Sequence, residues 1–509
     1  MSSWKRQHPA AIFVSFLGSL KQLVITLIIL FVFGQSAQGL PAPVLAGIFG
    51  VILLFALAGG FVSWWKFEYM LLPDELQVKQ GLIVKRNRFI RRERVQSIDI
   101  NAGPIQRIFG LVEVKIETAG GGSEPEFRLI ALRRSEAEEI RGELLKKKQS
   151  RSFAGEISAG MDEALSEGWS DTKTAPDFNW KLSPGMLLIA AITSSGVGIA
   201  ATFAAAVISQ VPQFLPDWII NIAVGWIIQS SIVYIGGFIV TVLLVAWVFT
   251  IISTVLKYGF FTVSKQGKDI YISRGVIETR QLTIHADRVH AVRIVTNLLR
   301  QPLGFCAVYV ESAGGGTKDE DLSTILLPLC RRKEAVKLLQ EIVPEYAFVP
   351  EYEGLPKESM RRYMIRLAVP AMLAAGAATY LIPYGYIAFL LPVAAGLIGY
   401  LQYKAAGISS EKDYLFIRSR SISLMEVFLP RRRIQDLEYS QNPLQRLDNL
   451  HTVHVSVLTT IVGKTFSLKH VSDTQREIYM RWFSYEEREK GGGFEIEHEA
   501  SDQHQGISP

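Results

Sequence analysis

The chain has 509 residues, 49% of them hydrophobic and 20% charged, and a positive mean hydropathy of +0.22, which excludes a soluble domain of ordinary composition. A formal net charge of +6 in so apolar a chain points to an anionic lipid surface ahead of nucleic acid as the counter-charge. Both cysteines, Cys306 and Cys330, lie outside any metal-type spacing and read as free thiols of a reducing compartment.

In chain order, Trp4-Lys5-Arg6-Gln7-His8 leads into an apolar run at 12–33, and a second run follows at 44–65. The start resembles a signal peptide, with Ser36-Ala37 as the cleavage point. Equivalent apolar pairs recur later, however, so the segment reads as a retained span, with Lys21 marking its interface. Further runs occupy 186–209, 218–256, 367–382 and 386–401. Each is near or above the roughly 20 residues that a helix needs to cross a bilayer core. The run at 218–256 is too long for one crossing, and is read as an interfacial stretch at 218–226, led in by Pro212 and Pro216, then a single span from about 231 to 253. Six spans result. Short, nearly uncharged loops at 35–43 and 382–386 face one side, and arginine-rich segments face the other. The positive-inside rule then places the intervening domains and both termini in the cytoplasm of a multi-pass cell-membrane protein.

Behind each pair of spans the sequence repeats itself. Arg94-Val95-Gln96-Ser97-Ile98 returns as Arg288-Val289-His290-Ala291-Val292 and as Arg433-Ile434-Gln435-Asp436-Leu437. Gln106-Arg107-Ile108-Phe109-Gly110 returns as Arg300-Gln301-Pro302-Leu303-Gly304 and Gln445-Arg446-Leu447-Asp448-Asn449. Such periodicity marks a repeated domain. In the first copy, segments 76–79, 81–84, 94–100, 111–118 and 127–131 have strand composition. Pro104 opens a helical turn that Gly110 stops, and Gly120-Gly121-Gly122 forms a hairpin tip. A helix closes each copy, at 135–148, 333–342 and 473–488, the first with Ser135 and Glu138 as a capping box. The predicted organisation is a hairpin at 1–66, a domain at 67–148, a linker at 149–180, a hairpin at 181–256, a domain at 257–345, a hairpin at 346–402, a domain at 403–488 and a disordered tail at 489–509.

Chemistry is sparse. His451 and His454 are three apart on a strand and point to opposite faces, so they do not share a metal. The glycine triplets lack the Lys-Ser or Lys-Thr of a phosphate loop, and no nucleophile elbow or zinc-protease pair occurs. The sequence therefore predicts no enzyme, no metal and no cofactor. Gln106 and Arg107, repeated as Gln445 and Arg446, read as braces of their turn. Arg91, Arg92 and Arg94, with Arg288 and with Arg431, Arg432 and Arg433, are the candidate binding residues. They are either a solvated strand face or a contact for anionic headgroups or a protein partner.

The Val-Gln-Ser-Ile strand, the Gln-Arg-x-x-Gly turn and the strand ending in Ala-Gly-Gly resemble the bacterial pleckstrin-homology-like domain, formerly one of unknown function. Three copies behind paired spans are similar to the YdbT-like family of membrane proteins. The resemblance is weakest in the third copy, where Asn449 stands for glycine. It implies an α+β membrane protein of three tandem units, each a transmembrane hairpin followed by a small β-barrel or sandwich capped by a C-terminal helix. It also implies a smaller membrane protein with one such domain as partner, and a tie to envelope stress or membrane-active agents. A non-enzymatic scaffold is the leading expectation, and a six-span transport or export component the alternative. The scarcity of ionisable residues deep in the spans weighs against the second.

Overall fold

The structure, a computed structural model, describes residues 4–18, 20, 42–72, 75–81, 85–118, 127–145, 177–194, 202, 218, 232–312, 324–381, 385–459 and 463–484. The glycine tips, the stretch at 219–226, most of the linker and the tail lie outside these residues.

Among the described residues each copy is built alike: a short leading strand, apolar helix, a three-stranded meander, then three more strands and a closing helix. Copy one has β1 (Lys5–Arg6), β2 (Glu68–Leu72), β3 (Glu75–Gln80), β4 (Arg86–Arg91), β5 (Val95–Ala102), β6 (Leu111–Thr118), β7 (Phe127–Arg133) and helix Arg134–Leu145. Copy two has β8 (Phe178–Lys181), β9 (Thr262–Gln266), β10 (Asp269–Arg274), β11 (Thr279–His285), β12 (Val289–Thr296), β13 (Phe305–Ser312), β14 (Thr324–Arg331) and helix Arg332–Ile342. Copy three has β15 (Glu353–Gly354), β16 (Gly407–Glu411), β17 (Tyr414–Arg420), β18 (Leu424–Pro430), β19 (Ile434–Ser440), β20 (Leu450–Val457), β21 (Lys464–Ser472) and helix Asp473–Phe483.

Several predicted boundaries move. The segment at 81–84 is not a strand where described: Gly81 turns with φ +102, and the strand is Arg86–Arg91. The predicted linker at 149–180 ends inside β8, which joins the sheet of copy two. Ser135 lies within its helix, and Glu136 accepts from the Arg133 N–H in place of the predicted box. A reciprocal box does form in copy three, between Ser472 and Gln475.

Helices Ala42–Lys66, Ile232–Tyr258 and Leu390–Ala405 run into β2, β9 and β16, each with a lysine in its last turn, where a cation suits the helix dipole. Among the described residues, Gly236–Tyr258, Lys357–Leu381 and Gly385–Ala405 are long and apolar enough to cross a membrane, and a shorter apolar helix spans Gly50–Lys66. The N-terminal segment is part of the fold: Lys5 pairs with Tyr69, and the His8 N–H donates to the Ala131 carbonyl at 3.0 Å.

The sheets do not respect the copies. One runs β7-β6-β5-β11-β10-β9-β8, and another runs β14-β13-β12-β18-β17-β16-β15. The meander of each later copy thus pairs with the second strand group of the copy before it. Thr279, Arg280 and Gln281 lie opposite Ala102, Asn101 and Ile100. Leu424, Met425 and Glu426 lie opposite Thr296, Val295 and Ile294. Shifted by the repeat, the two registers coincide. Among the described residues three large cores follow, one per copy, beside a small cluster of Ala10, Ala11, Leu111 and Ala131; the second core also takes in Phe416 and Phe428 from the third copy, and the third takes in Ala291 from the second. The three copies are thus hydrogen-bonded neighbours in one chain of sheets.

Candidate partner-binding surface

The seven candidate arginines lie in or next to the short 3-10 turns Arg92–Arg94, Ala286–Arg288 and Arg431–Arg433, which link β4 to β5, β11 to β12 and β18 to β19. Each turn is followed by a buried anchor, Val95, Val289 or Ile434, that pins the chain to its core. β5 then carries the chain back towards the span roots over eight residues, about 23 Å at strand rise. The arginine turns therefore stand at the far end of the strands from the helices.

Their partners differ. Arg288 donates through Nη2 to the Val95 carbonyl of copy one at 3.4 Å, and Arg433 donates to the Asp287 carbonyl of copy two. Arg432 pairs with Glu345 at 2.6 Å, which raises the guanidinium pKa. Arg431 donates to the Phe483 and Ser484 carbonyls at 3.2 and 2.7 Å and lies over the Trp482 ring. Burial pushes the Arg288 pKa down. Arg91 and Arg94 are exposed and Arg92 is half-buried. The structure thus does not gather the seven into one cluster: Arg288 and Arg433 stitch copies together, while Arg91 and Arg94 face outwards from copy one.

The opposite end faces the spans. There Gln106 accepts from the Gly103 N–H at 2.7 Å and donates to the Ile130 carbonyl at 3.2 Å. Gln445 accepts from the Asn442 N–H at 3.0 Å and donates to Thr452 Oγ1 at 2.9 Å. Both glutamines brace their turns. Arg107 does not: it donates to the Val276 and Ile277 carbonyls of copy two. Arg300, at the place of Gln106, is buried and donates to Thr193 Oγ1 at 3.0 Å, the Pro328 carbonyl at 3.1 Å and the Ala190 carbonyl at 3.3 Å, fastening copy two to the end of helix Pro184–Ile192. The same turns expose apolar side chains in every copy: Ile108 and Phe109, Leu299 and Leu303, Leu444 and Leu447. These side chains form an exposed apolar rim at the end of each copy from which the apolar helices lead. Its signal in the sequence is the hydrophobic residue after each Gln-Arg pair, Ile108 and Leu447, which the reading of those pairs as turn braces leaves out.

His451 meets Asp473 at 3.1 Å, and His454 lies between Ser440 and Ser467 at 3.1 and 2.9 Å. Among the described residues, no group of three His, Cys, Asp or Glu side chains is arranged to hold a metal. Cys306 and Cys330 are cross-strand neighbours, buried and unbridged, with sulfurs 3.6 Å apart.

The comparisons agree with this architecture. The model of the bacterial PH domain matches three stretches, 17–148, 203–345 and 365–482. The transmembrane protein YdbT of Bacillus subtilis (strain 168) is 31% identical over 492 residues, 96% of this chain and 99% of that protein. No solved structure matches.

Proposed function

This chain belongs to the bacterial PH domain family, and from that premise we propose that it is a non-enzymatic membrane scaffold. Three hairpins, six spans in all, hold its PH-like domains against the cytoplasmic face of the cell membrane, and the arginine turns dock protein partners.

The observation that carries this reading is the pairing of β5 with β11 and of β12 with β18. Paired copies share one side of the membrane, so the chain crosses an even number of times between them. Arginines in the later copies hold those copies together, and charge density at the positive-inside level sets the side. The distal turns stand about 20 Å beyond the span roots, whereas the Debye length at physiological salt is about 8 Å. That separation favours a protein partner over headgroups for Arg91, Arg92 and Arg94, and leaves lipid contact to the apolar rim. A role in envelope stress belongs to the same proposal, and sensitivity of a deletion strain to membrane-active agents tests it.

The direct test is photo-crosslinking in cells from residue 91 or 94 of the full-length chain. Protein adducts are expected; lipid adducts alone would overturn the reading.

A further inference from the structure

Two strand edges, one in the first copy and one in the third, have no inter-copy partner among the described residues. β4 ends the sheet β1-β2-β3-β4, and β19 ends the sheet β19-β20-β21. Their counterparts in the other copies, β11 and β18 for β4, and β5 and β12 for β19, form the two inter-copy junctions, β5 with β11 and β12 with β18. Among the described residues β4 and β19 have one strand neighbour each. We infer that β4 of one molecule pairs with β19 of a second copy of this chain, so that the junction used twice within the molecule also joins molecules head to tail. This rests on the scaffold reading and names the partner.

The register follows from the internal junctions. Val292 opposite Phe428 and Arg293 opposite Val427 become Leu437 opposite Phe89 and Glu438 opposite Arg88. Three observations support it. First, Phe428 is 0% exposed because it packs in the core of the preceding copy, whereas Phe89 at the same repeat position is 62% exposed. Likewise β12 is buried along nearly its whole length, while β19 exposes Gln435, Asp436 and Glu438. Second, Arg288 and Arg433 each donate to a backbone carbonyl of the preceding copy. Arg94, their counterpart, makes no such bond among the described residues, and the repeat directs it to the carbonyls between Arg432 and Ile434 of another molecule. Third, the edges carry opposite charge: Arg86, Arg88 and Arg91 on β4 against Asp436 and Glu438 on β19. Charged edges ordinarily guard against pairing. Here they oppose β4 on β4 and β19 on β19 and favour only the mixed pair. Such a heterologous contact closes into a ring or extends as a filament.

The test uses full-length chains in native membranes, in two co-expressed tagged forms, one carrying Arg88→Cys and the other Glu438→Cys. Directly opposite antiparallel residues lie about 4.5–5.5 Å apart at Cα, within disulfide reach. Mild oxidation is expected to give a product bearing both tags, and Phe89→Asp in the first form to reduce it at least about tenfold by placing a charge at the cross-strand contact. A chain with Arg293→Cys and Val427→Cys, which bridges internally, verifies the folded junction. An internal bridge without the two-tag product overturns the inference, as does an Arg88→Cys homodimer of equal yield. Either outcome leaves the scaffold reading standing if residue 94 still crosslinks to another protein.

Discussion

Phe428→Ala is the sharpest probe of the junction between copies two and three. Phe428 is 0% exposed, lies opposite Val292, and meets Phe416 edge-on with ring centroids 5.5 Å apart inside the core of copy two. Truncating a buried phenylalanine costs about 3–5 kcal/mol. The residue belongs to copy three, but much of that loss falls on copy two, whose core it fills. Cys306 and Cys330 report on that core, being buried within it and the sole thiols of the chain. Their labelling by a thiol reagent tracks the population of the opened copy when reclosing is fast. At about 1.4 kcal/mol per decade, labelling should accelerate by roughly a hundredfold to a few thousandfold. Phe89→Ala, at the exposed counterpart, should leave the rate within about twofold. A rise of less than about threefold for Phe428→Ala would refute the claim that the copies share a core.

Other expectations concern single copies. Gln445→Ala removes bonds to Asn442, Thr452 and His470 and should cost about 1–3 kcal/mol in chemical unfolding. Asn449 has φ +49 where Gly110 and Gly304 have +65 and +69; Asn449→Gly should be nearly neutral, and Asn449→Val should destabilise by about 1–2 kcal/mol. Burial, then the charges of Arg366, Lys469 and Arg362, pushes the His470 pKa down to about 4. An unfolded histidine titrates near 6.5, so between pH 6.5 and 4 the unfolded chain takes up a proton that the folded chain refuses. Stability should therefore fall as pH drops through that window and level off below it. His470→Asn, which tolerates the φ of +63, should remove that component of the slope.

Much of this fold is legible in the sequence where a strand has one buried face. Leu111–Thr118 alternates and is found with the predicted bounds, and the turn at Pro104–Ile108 is announced by its proline and Gly110. β4 is not legible: Arg-Asn-Arg-Phe-Ile-Arg carries the charge of an edge, which hides its period. The leading strands β1, β8 and β15 are two to four residues long, too short for any period to register. Sequence repetition also suggests separate domains, because it records what each copy contains and not which copy its edge strands pair with. That is why Arg288 and Arg433 read as surface charges, whereas in the fold each closes a junction.

A disulfide between Ala102→Cys and Thr279→Cys tests the central claim most directly. The two residues lie directly opposite across the first junction, yet 177 positions of chain, including helices Pro184–Ile192 and Ile232–Tyr258, separate them. The bridge is expected to form in most molecules in native membranes, and the two thiols, when reduced, are expected to be labelled from the same side. Labelling of 102 and 279 from opposite sides, with no bridge, would contradict the account.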